Sequence, residues 1–334
     1  MKALQIPQPR RIQVIDLPAP VAGPGEILLR MRYVGFCGSD LNTWRGRNAM
    51  ARPAVIPGHE IGALIAATGP GVPDGFRRGQ TVTVNPYTHC GTCASCRAGR
   101  YNACEHNETL GVQRDGAMRE YLAVPWEKVI PAEGISLRDT ALIEPMSVGF
   151  HAVSRGQVTD NDTVLVIGCG MVGLGAVIRS IRRGATVIAA DIEADKLAMA
   201  RDLGAAFTYN TGTPWEGLPA PSVVIEAVGS PATYQLAIER ADFCGRVVCI
   251  GYPKSEVLLP PGVIVKKELA VMGSRNATPT DFEAVIRSIL RGEAPLDRFV
   301  SGIIPPENAQ EVLERWDAAP GKVFRILTEW NTEN

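Results

Sequence analysis

A glycine motif in the middle of the chain constrains the fold more than any other feature of the sequence. The motif, Gly168-Cys169-Gly170-Met171-Val172-Gly173, directly follows the continuous apolar run at residues 163–167 and opens a helix-compatible stretch at residues 171–183. A short apolar run of this kind is typical of a parallel strand buried on both faces. In G-x-G-x-x-G, the first glycine permits a tight turn, the second lets backbone approach a pyrophosphate, and the third lets the helix pack on the strand. The motif therefore predicts a dinucleotide site at the N-terminus of this helix, formed by Gly168, Gly170, Met171, Val172 and Gly173.

The segments after the motif continue to alternate between strand and helix patterns. A second apolar run at residues 186–190 precedes a helix-compatible stretch at 195–203, and residues 222–226 and 246–250 are further buried-strand candidates. Such alternation predicts a doubly wound parallel-sheet domain of the Rossmann type over residues 151–290. We also assign Val228 and Gly251, just beyond the last two strand candidates, to the cofactor site.

Asp191 indicates which dinucleotide is bound. It ends the second apolar run, 18 residues after Gly173, where dinucleotide-binding domains carry an acidic residue for the ribose. A carboxylate at this place accepts the ribose hydroxyls of NAD and repels the 2′-phosphate of NADP, and the next residue is Ile192 rather than an arginine. The sequence predicts NAD; the alternative is that Asp191 only caps the helix that follows.

Four of the eight cysteines are crowded into 15 residues. They are Cys90, Cys93, Cys96 and Cys104. In a chain without a recognisable secretion signal, such crowding favours a metal over disulfides. Four sulfur ligands complete the tetrahedral shell of zinc and leave no position for a substrate, so we predict a structural zinc lobe over residues 86–105. His89 and His106 flank the lobe, but the sulfurs already saturate the metal.

A second set of potential metal ligands is spread along the first half of the chain. Cys37 lies in Gly-Phe-Cys-Gly-Ser-Asp, His59 and Glu60 in Pro-Gly-His-Glu, and Glu144 in Leu-Ile-Glu-Pro. Taken one at a time, these residues also have ordinary structural explanations: a buried cysteine, a hydrogen-bonded histidine and paired carboxylates. The surrounding residues 1–150 carry short β-type runs separated by Gly-Pro turns, which predicts an irregular barrel-like β domain. The last ~40 residues hold too few apolar residues for a core of their own, so we expect residues 291–334 to return to this domain.

The order of these motifs resembles that of the zinc-dependent medium-chain dehydrogenases, over essentially the whole chain. The resemblance implies a GroES-like β-barrel catalytic domain and a zinc- and NAD-dependent oxidation of an alcohol. It implies that Cys37 and His59 bind a catalytic zinc, that Glu60 is the third ligand, and that Glu144 binds zinc directly or through water. It further implies that Ser39 contacts the substrate oxygen and begins the proton relay. One departure is Asn42, which stands where many relatives carry a relay histidine, so that water, the ribose hydroxyl or Glu60 would carry the proton instead.

The resemblance is closest to the polyol and sugar-acid branch. Residues 143–149 are similar to a sorbitol dehydrogenase segment, whereas 266–268 and 273–279 are similar to L-galactonate and L-gulonate 5-dehydrogenases. We therefore expect a hexonate as substrate; a neutral polyol, a small secondary alcohol, L-threonine or, more remotely, a non-enzymatic zinc-binding module are the alternatives. An acidic substrate needs a cationic partner, because arginine binds a carboxylate through paired hydrogen bonds. The candidates are Arg114, Arg275 and the pair Arg45 and Arg47 around Trp44.

Composition limits the partners. The formal net charge is -1, which provides no global positive field for nucleic acid or for an anionic membrane. No stretch approaches the roughly 20 apolar residues of a membrane span. We expect a cytoplasmic homo-oligomer, a dimer or tetramer, in which residues 263–273 form the edge strand that pairs between subunits.

Overall fold

The computed structural model describes residues 1–330, which form two compact units. One unit comprises Met1–Glu144 together with residues 286–330, and the other comprises Pro145–Val285. The chain changes unit close to residues 150 and 290, where the sequence predicts a domain boundary.

The strands and helices are numbered along the chain. The strands are β1 (Lys2–Gln8), β2 (Arg11–Asp16), β3 (Glu26–Phe36), β4 (Glu60–Thr68), β5 (Thr81–Val84), β6 (Tyr121–Pro125), β7 (Val129–Pro131), β8 (Thr163–Ile167), β9 (Thr186–Asp191), β10 (Phe207–Asn210), β11 (Val223–Glu226), β12 (Arg246–Cys249), β13 (Ala270–Gly273), β14 (Gly302–Ile304) and β15 (Ile326–Glu329). The helices are α1 (Gly38–Trp44), α2 (Ala94–Arg97), α3 (Leu137–Thr140), α4 (Ile143–Arg155), α5 (Met171–Arg182), α6 (Ala194–Asp202), α7 (Pro231–Arg240), α8 (Pro261–Lys267), α9 (Pro279–Leu290), α10 (Leu296–Phe299) and α11 (Ala309–Ala318).

The first unit is built on a seven-stranded sheet. Its strands run in the order β14-β15-β3-β4-β5-β7, and β6 pairs with β3. Along β3, Ile27, Leu29 and Met31 are buried in the core while the residues between them are less buried, as expected for the two-residue period of a strand with one face on a core. Strand β15, the last one in the described chain, pairs antiparallel with β3 and so belongs to this unit.

The second unit contains a six-stranded parallel sheet in the order β10-β9-β8-β11-β12-β13. This order reverses direction at β8, as in doubly wound dinucleotide-binding domains, and the predicted fold class is confirmed. The run at residues 163–167 is strand β8, and its central residues Val164, Leu165 and Val166 are fully buried. Continuous apolar sequence is what burial on both faces requires.

The predicted edge strand at residues 263–273 is wrong in its first half. Residues 261–267 form helix α8, and only Ala270–Gly273 are a strand. Pro261 begins the helix, where proline needs no hydrogen-bonding N–H, and Val263 and Ile264 pack on the core of the second unit. The apolar β-branched residues favour a strand locally, but packing on the core favours the helix.

Among residues 1–330, no helix combines the length and the apolar composition that crossing a membrane requires.

Candidate metal and dinucleotide sites

The four clustered cysteines converge on one point in the first unit. Their sulfur atoms all lie within 4.8 Å of one another. The backbone N–H of Cys93 donates to the sulfur of Cys90 at 3.4 Å, and that of Cys90 donates to the sulfur of Cys104 at 3.3 Å. The contact with the Ser95 hydroxyl, together with backbone N–H groups, lowers the pKa of the Cys93 thiol to about 5. Thiolates in this arrangement fit a tetrahedral structural zinc, which binds sulfur in its anionic form.

Cys37, His59 and Glu60 form a second group, whose ligand atoms also lie within 4.8 Å of one another. Cys37 directly follows β3 and caps helix α1, whereas Glu60 begins β4. Gly35 and Glu60 are paired across the antiparallel ladder of the two strands. This register explains how two motifs more than 20 residues apart in sequence meet at one end of the sheet.

The charges of this group influence one another strongly, because His59 and Glu60 are buried. Although burial opposes ionisation, the hydrogen bond and charge of His59 lower the pKa of the Cys37 thiol to about 7. Burial raises the pKa of Glu60 well above its usual range, even though the Arg325 guanidinium nitrogen Nε lies 3.1 Å from Glu60 Oε2. Glu60 Oε1 accepts no hydrogen bond from residues 1–330. A buried, unsatisfied carboxylate oxygen beside a thiol and an imidazole is the donor chemistry that fits zinc.

Glu144 lies in the first turn of α4, outside the group formed by the three other ligand atoms. Its Oε1 accepts a hydrogen bond from the hydroxyl of Tyr87. Burial and the adjacent Glu144 carboxylate raise the pKa of Tyr87 well above that of an ordinary tyrosine, which keeps the hydroxyl protonated. The binding of metal by Glu144 stays a prediction.

Three residues of this region were not predicted from the sequence. Asp40 is fully buried and accepts a hydrogen bond from the Cys37 N–H at 2.8 Å; its place at the third residue of a helix that Cys37 caps is a signal that could have found it. Arg325 and Tyr87 approach the group from distant parts of the chain. No local pattern marks either of them.

Two polar atoms of helix α1 are available to a ligand. Ser39 Oγ and Asn42 Oδ1 are both buried and have no hydrogen-bond partner among residues 1–330. They lie two and five residues after Cys37, so one face of the short helix carries them.

The candidate substrate residues lie in different environments. Trp44 is 1% exposed, lies in the core of the first unit, and carries the Arg10 guanidinium 4.8 Å from its ring centroid. Arg45 is ion-paired with Asp317. These contacts favour structural roles for both residues. Of the other arginine candidates, Arg47 is exposed and Arg275 is half-buried beyond the end of β13. The Nε atom of Arg114 lies 3.9 Å from Oε2 of Glu108.

The glycine motif has the geometry of a dinucleotide-binding turn. Gly168 follows β8 with a φ of 94°, a conformation that favours glycine, and Gly170 caps helix α5. A Cβ atom on Gly173 would lie 1.7 Å from the carbonyl oxygen of Gly168, so only glycine allows this close approach. The first turn of the helix therefore leaves N–H groups for an anion.

Three other predicted cofactor residues meet at the same edge of the sheet. Asp191 ends β9, and its Oδ2 accepts the Cys169 N–H at 2.7 Å. A Cβ atom on Gly168 would lie 2.5 Å from a methyl group of Val228, and one on Gly251 would lie 2.1 Å from the nitrogen of Gly229. The carboxyl ends of parallel strands are where doubly wound folds bind ligands.

Comparisons with known proteins cover nearly the whole chain. Residues 23–134 match the model of the alcohol dehydrogenase GroES-like domain, and residues 172–291 match that of the zinc-binding dehydrogenases. The chain is 34% identical to the L-galactonate-5-dehydrogenase of Escherichia coli K12 over 94% of this chain and 95% of that protein. It is 33% identical to the sorbitol dehydrogenase of Bacillus subtilis 168 over 94% and 93% of the two proteins.

Solved structures extend the likeness to the full fold. An alcohol dehydrogenase (rspB) of Escherichia coli CFT073, complexed with NADH, superposes with a TM-score of 0.91 at 27% identity and covers 99% of both chains. A zinc-binding dehydrogenase of Sinorhizobium meliloti 1021, bound to NADP, gives a TM-score of 0.90 at 28% identity, over 98% of this chain and 99% of that one. With two metal-ligand groups, a dinucleotide-binding turn and relatives of this extent, the chain belongs to the zinc-dependent medium-chain alcohol and polyol dehydrogenases.

Proposed function

We propose that this enzyme oxidises a secondary hydroxyl of a sugar acid, of the L-galactonate or L-gulonate type, to a ketone and transfers the hydride to NAD. The observation that carries the proposal is the convergence of Cys37 with the buried His59 and Glu60. Three protein ligands leave one coordination position open for a substrate oxygen, in contrast to the closed four-cysteine lobe.

Zinc held by this group would supply Lewis acidity, which makes a bound hydroxyl easier to deprotonate. The residues around the group would direct the proton. Ser39 Oγ, which has no hydrogen-bond partner in the described part of the chain, can accept a hydrogen bond from the substrate hydroxyl and pass its own proton onward. Asn42 cannot take up a proton as histidine does, so the path continues through water, the ribose hydroxyl or Glu60.

The second unit would bind NAD at the carboxyl edge of its sheet. The pyrophosphate would lie on the N–H groups of α5, and Asp191 would accept the ribose hydroxyls. The carboxylate of Asp191 still has lone pairs beyond those that accept backbone N–H groups. Its negative charge disfavours the additional phosphate of NADP.

A sugar acid is the substrate class that best uses Arg275. This arginine follows β13 through Gly273 and Ser274, at the sheet edge where ligands gather. The similarity to L-galactonate-5-dehydrogenase supports a hexonate. The similarity to sorbitol dehydrogenase is nearly as strong and makes a neutral polyol the second candidate.

A screen of NAD reduction tests the proposal. The purified enzyme, with its zinc content measured, is assayed with hexonates, the matching hexitols, pentitols and L-threonine. A kcat/KM highest for a hexonate supports the proposal, and one highest for a hexitol favours the second candidate. A protein that holds one zinc per chain and reduces NAD with none of these substrates would contradict both.

The enzyme is also proposed to be a homo-oligomer. Strand β13 lies at the edge of the six-stranded sheet, and Val271 on this strand and Val265 on the preceding helix α8 are exposed. An exposed apolar edge strand is a template for pairing with another chain. A monomeric mass in light scattering would contradict this proposal.

A further inference from the structure

The hydroxyl of Tyr87 is held against Glu144 by the backbone on both sides of it. Tyr87 is 5% exposed, and it lies three residues beyond the end of β5. Its N–H donates to Asn85 Oδ1 at 3.1 Å, its carbonyl accepts from Lys128 Nζ at 2.7 Å, and it forms an isolated antiparallel bridge with Thr109. These contacts fix the backbone of Tyr87, and the burial of its side chain limits the rotamers through which the ring could leave Glu144.

The two carboxylates near the second metal-ligand group are restrained in different ways. Glu60 is one of the three ligands within 4.8 Å of one another, and its Oε1 has no hydrogen-bond partner in the described chain. Glu144 is nearly as buried, but it lies outside the group of three ligands. Its Oε1 accepts a hydrogen bond from the Tyr87 hydroxyl. The hydrogen bond thus marks a physical difference between two side chains that have the same chemistry.

We propose that Tyr87 is a positioning residue that determines which carboxylate binds the catalytic metal. By holding Oε1 of Glu144, its hydroxyl keeps Glu60 as the resting ligand. The inference rests on the proposed function, because it requires a metal at Cys37, His59 and Glu60. For Oε1 of Glu144 to turn to the metal, its hydrogen bond with the Tyr87 hydroxyl must break. That bond shifts the equilibrium away from metal binding by Glu144 by about 10- to 150-fold.

A double-mutant cycle on metal affinity tests this role. The affinity of the catalytic site for Zn²⁺ is measured by competition with a chromophoric chelator in four proteins: the wild type, Tyr87→Phe, Glu60→Gln and the double variant. We expect Glu60→Gln to lower the affinity for Zn²⁺ strongly in the wild type. In the Tyr87→Phe protein the loss of affinity caused by Glu60→Gln should be at least about tenfold smaller, because the released Glu144 can replace the lost ligand. Adding Glu144→Gln to the double variant should abolish this compensation.

Tyr33→Phe is the matched control. The Tyr33 hydroxyl donates to Glu329 Oε1 at 2.6 Å in the same unit, so the variant removes a second tyrosine–glutamate hydrogen bond. Glu329 is not among the clustered metal-ligand candidates of the described chain. The control should leave the cost of Glu60→Gln unchanged. A reduced cost in the Tyr33→Phe background as well would overturn the specific role of Tyr87.

Substitution with Co²⁺ gives a readout that does not depend on the folding of the Glu60 variants. If Glu144 joins the metal in Tyr87→Phe, the coordination number rises and the visible absorption of Co²⁺ falls. Identical spectra for the wild type and Tyr87→Phe, or equal costs of Glu60→Gln in both backgrounds, would refute the proposal and leave the proposed function intact. Wild-type protein that binds one metal ion, at the cysteine lobe alone, would instead refute the proposed function.

Discussion

Replacing Asp191 with serine separates two roles of its carboxylate. In the structure, Oδ2 accepts the N–H of Cys169 in the glycine turn, and Oδ1 accepts those of Ile192 at 2.8 Å and Glu193 at 3.0 Å. The first bond ties the end of β9 to the dinucleotide turn, and the other two order the turn before α6. The Asp191 carboxylate therefore accepts three structural hydrogen bonds from backbone N–H groups, independently of any bound ribose.

The size of each effect follows from these bonds. A hydrogen bond to a charged acceptor contributes about 1.5–3 kcal/mol, and water compensates part of this at the half-buried Asp191. We expect Asp191→Ser to lower the free energy of unfolding by about 1–3 kcal/mol. Loss of one charge-assisted bond to the ribose would lower kcat/KM for NAD by about 10- to 150-fold. Because the repulsion of a 2′-phosphate also disappears, the ratio of kcat/KM for NADP to that for NAD should rise at least about tenfold.

The assay compares initial rates with NAD and NADP alongside thermal unfolding. Asp191→Asn is the control, since it keeps the size and one carbonyl acceptor but removes the charge. It should lose less stability than the serine variant while still shifting the preference toward NADP. If unfolding changes as expected but the NADP/NAD ratio stays constant in both variants, Asp191 only orders the turn and the NAD assignment loses its basis.

Three further substitutions test the remaining sites. Cys93→Ser should remove about one zinc per chain and lower the melting temperature, since structural zinc contributes to folding free energy; unchanged zinc content in elemental analysis would argue against the lobe. His59→Ala should reduce turnover to background while NAD still binds by fluorescence titration, because the glycine turn is in the other unit; full activity would exclude a catalytic metal there. Arg275→Ala should lower kcat/KM for a hexonate about 10- to 150-fold and for the matching hexitol little, with Arg78→Ala, at an exposed arginine that is not a substrate candidate, as control; equal losses on both substrates would favour the neutral polyol.

The elements that the sequence predicts well are those whose environment is uniform along the chain. Strand β8 matches its predicted range, and β12 is one residue shorter than predicted, because both are continuous apolar runs buried in a parallel sheet. Helix α8 was missed because its apolar β-branched residues resemble those of a strand. The proline at its start is a helix-start signal that the sequence does carry. The packing of Val263 and Ile264 on the core, which no local pattern records, favours the helix.

The same distinction applies to the sites. The cysteine lobe is readable because its four ligands are close in sequence, and the glycine motif because it is contiguous. Tyr87 and Arg325 are brought to the second group by strand pairing across long separations, so neither has a signal of its own. For Tyr87 the missing information is the backbone pairing with Thr109 and the contact with Lys128, which exist only after folding.

The buried charges around Cys37 explain why this group fits a divalent cation better than a self-contained hydrogen-bond network. Among residues 1–330, three acidic side chains, Cys37, Asp40 and Glu60, with the Glu144 carboxylate close by, face two basic ones, His59 and Arg325. Burial raises the pKa of both Asp40 and Glu60, so ionising all three acids without further positive charge is costly. A dication would lower that cost and satisfy Glu60 Oε1, whereas a network of hydrogen bonds would need a donor that residues 1–330 do not provide. The charge balance of the fold, more than the identity of any single ligand, therefore favours metal binding at this group.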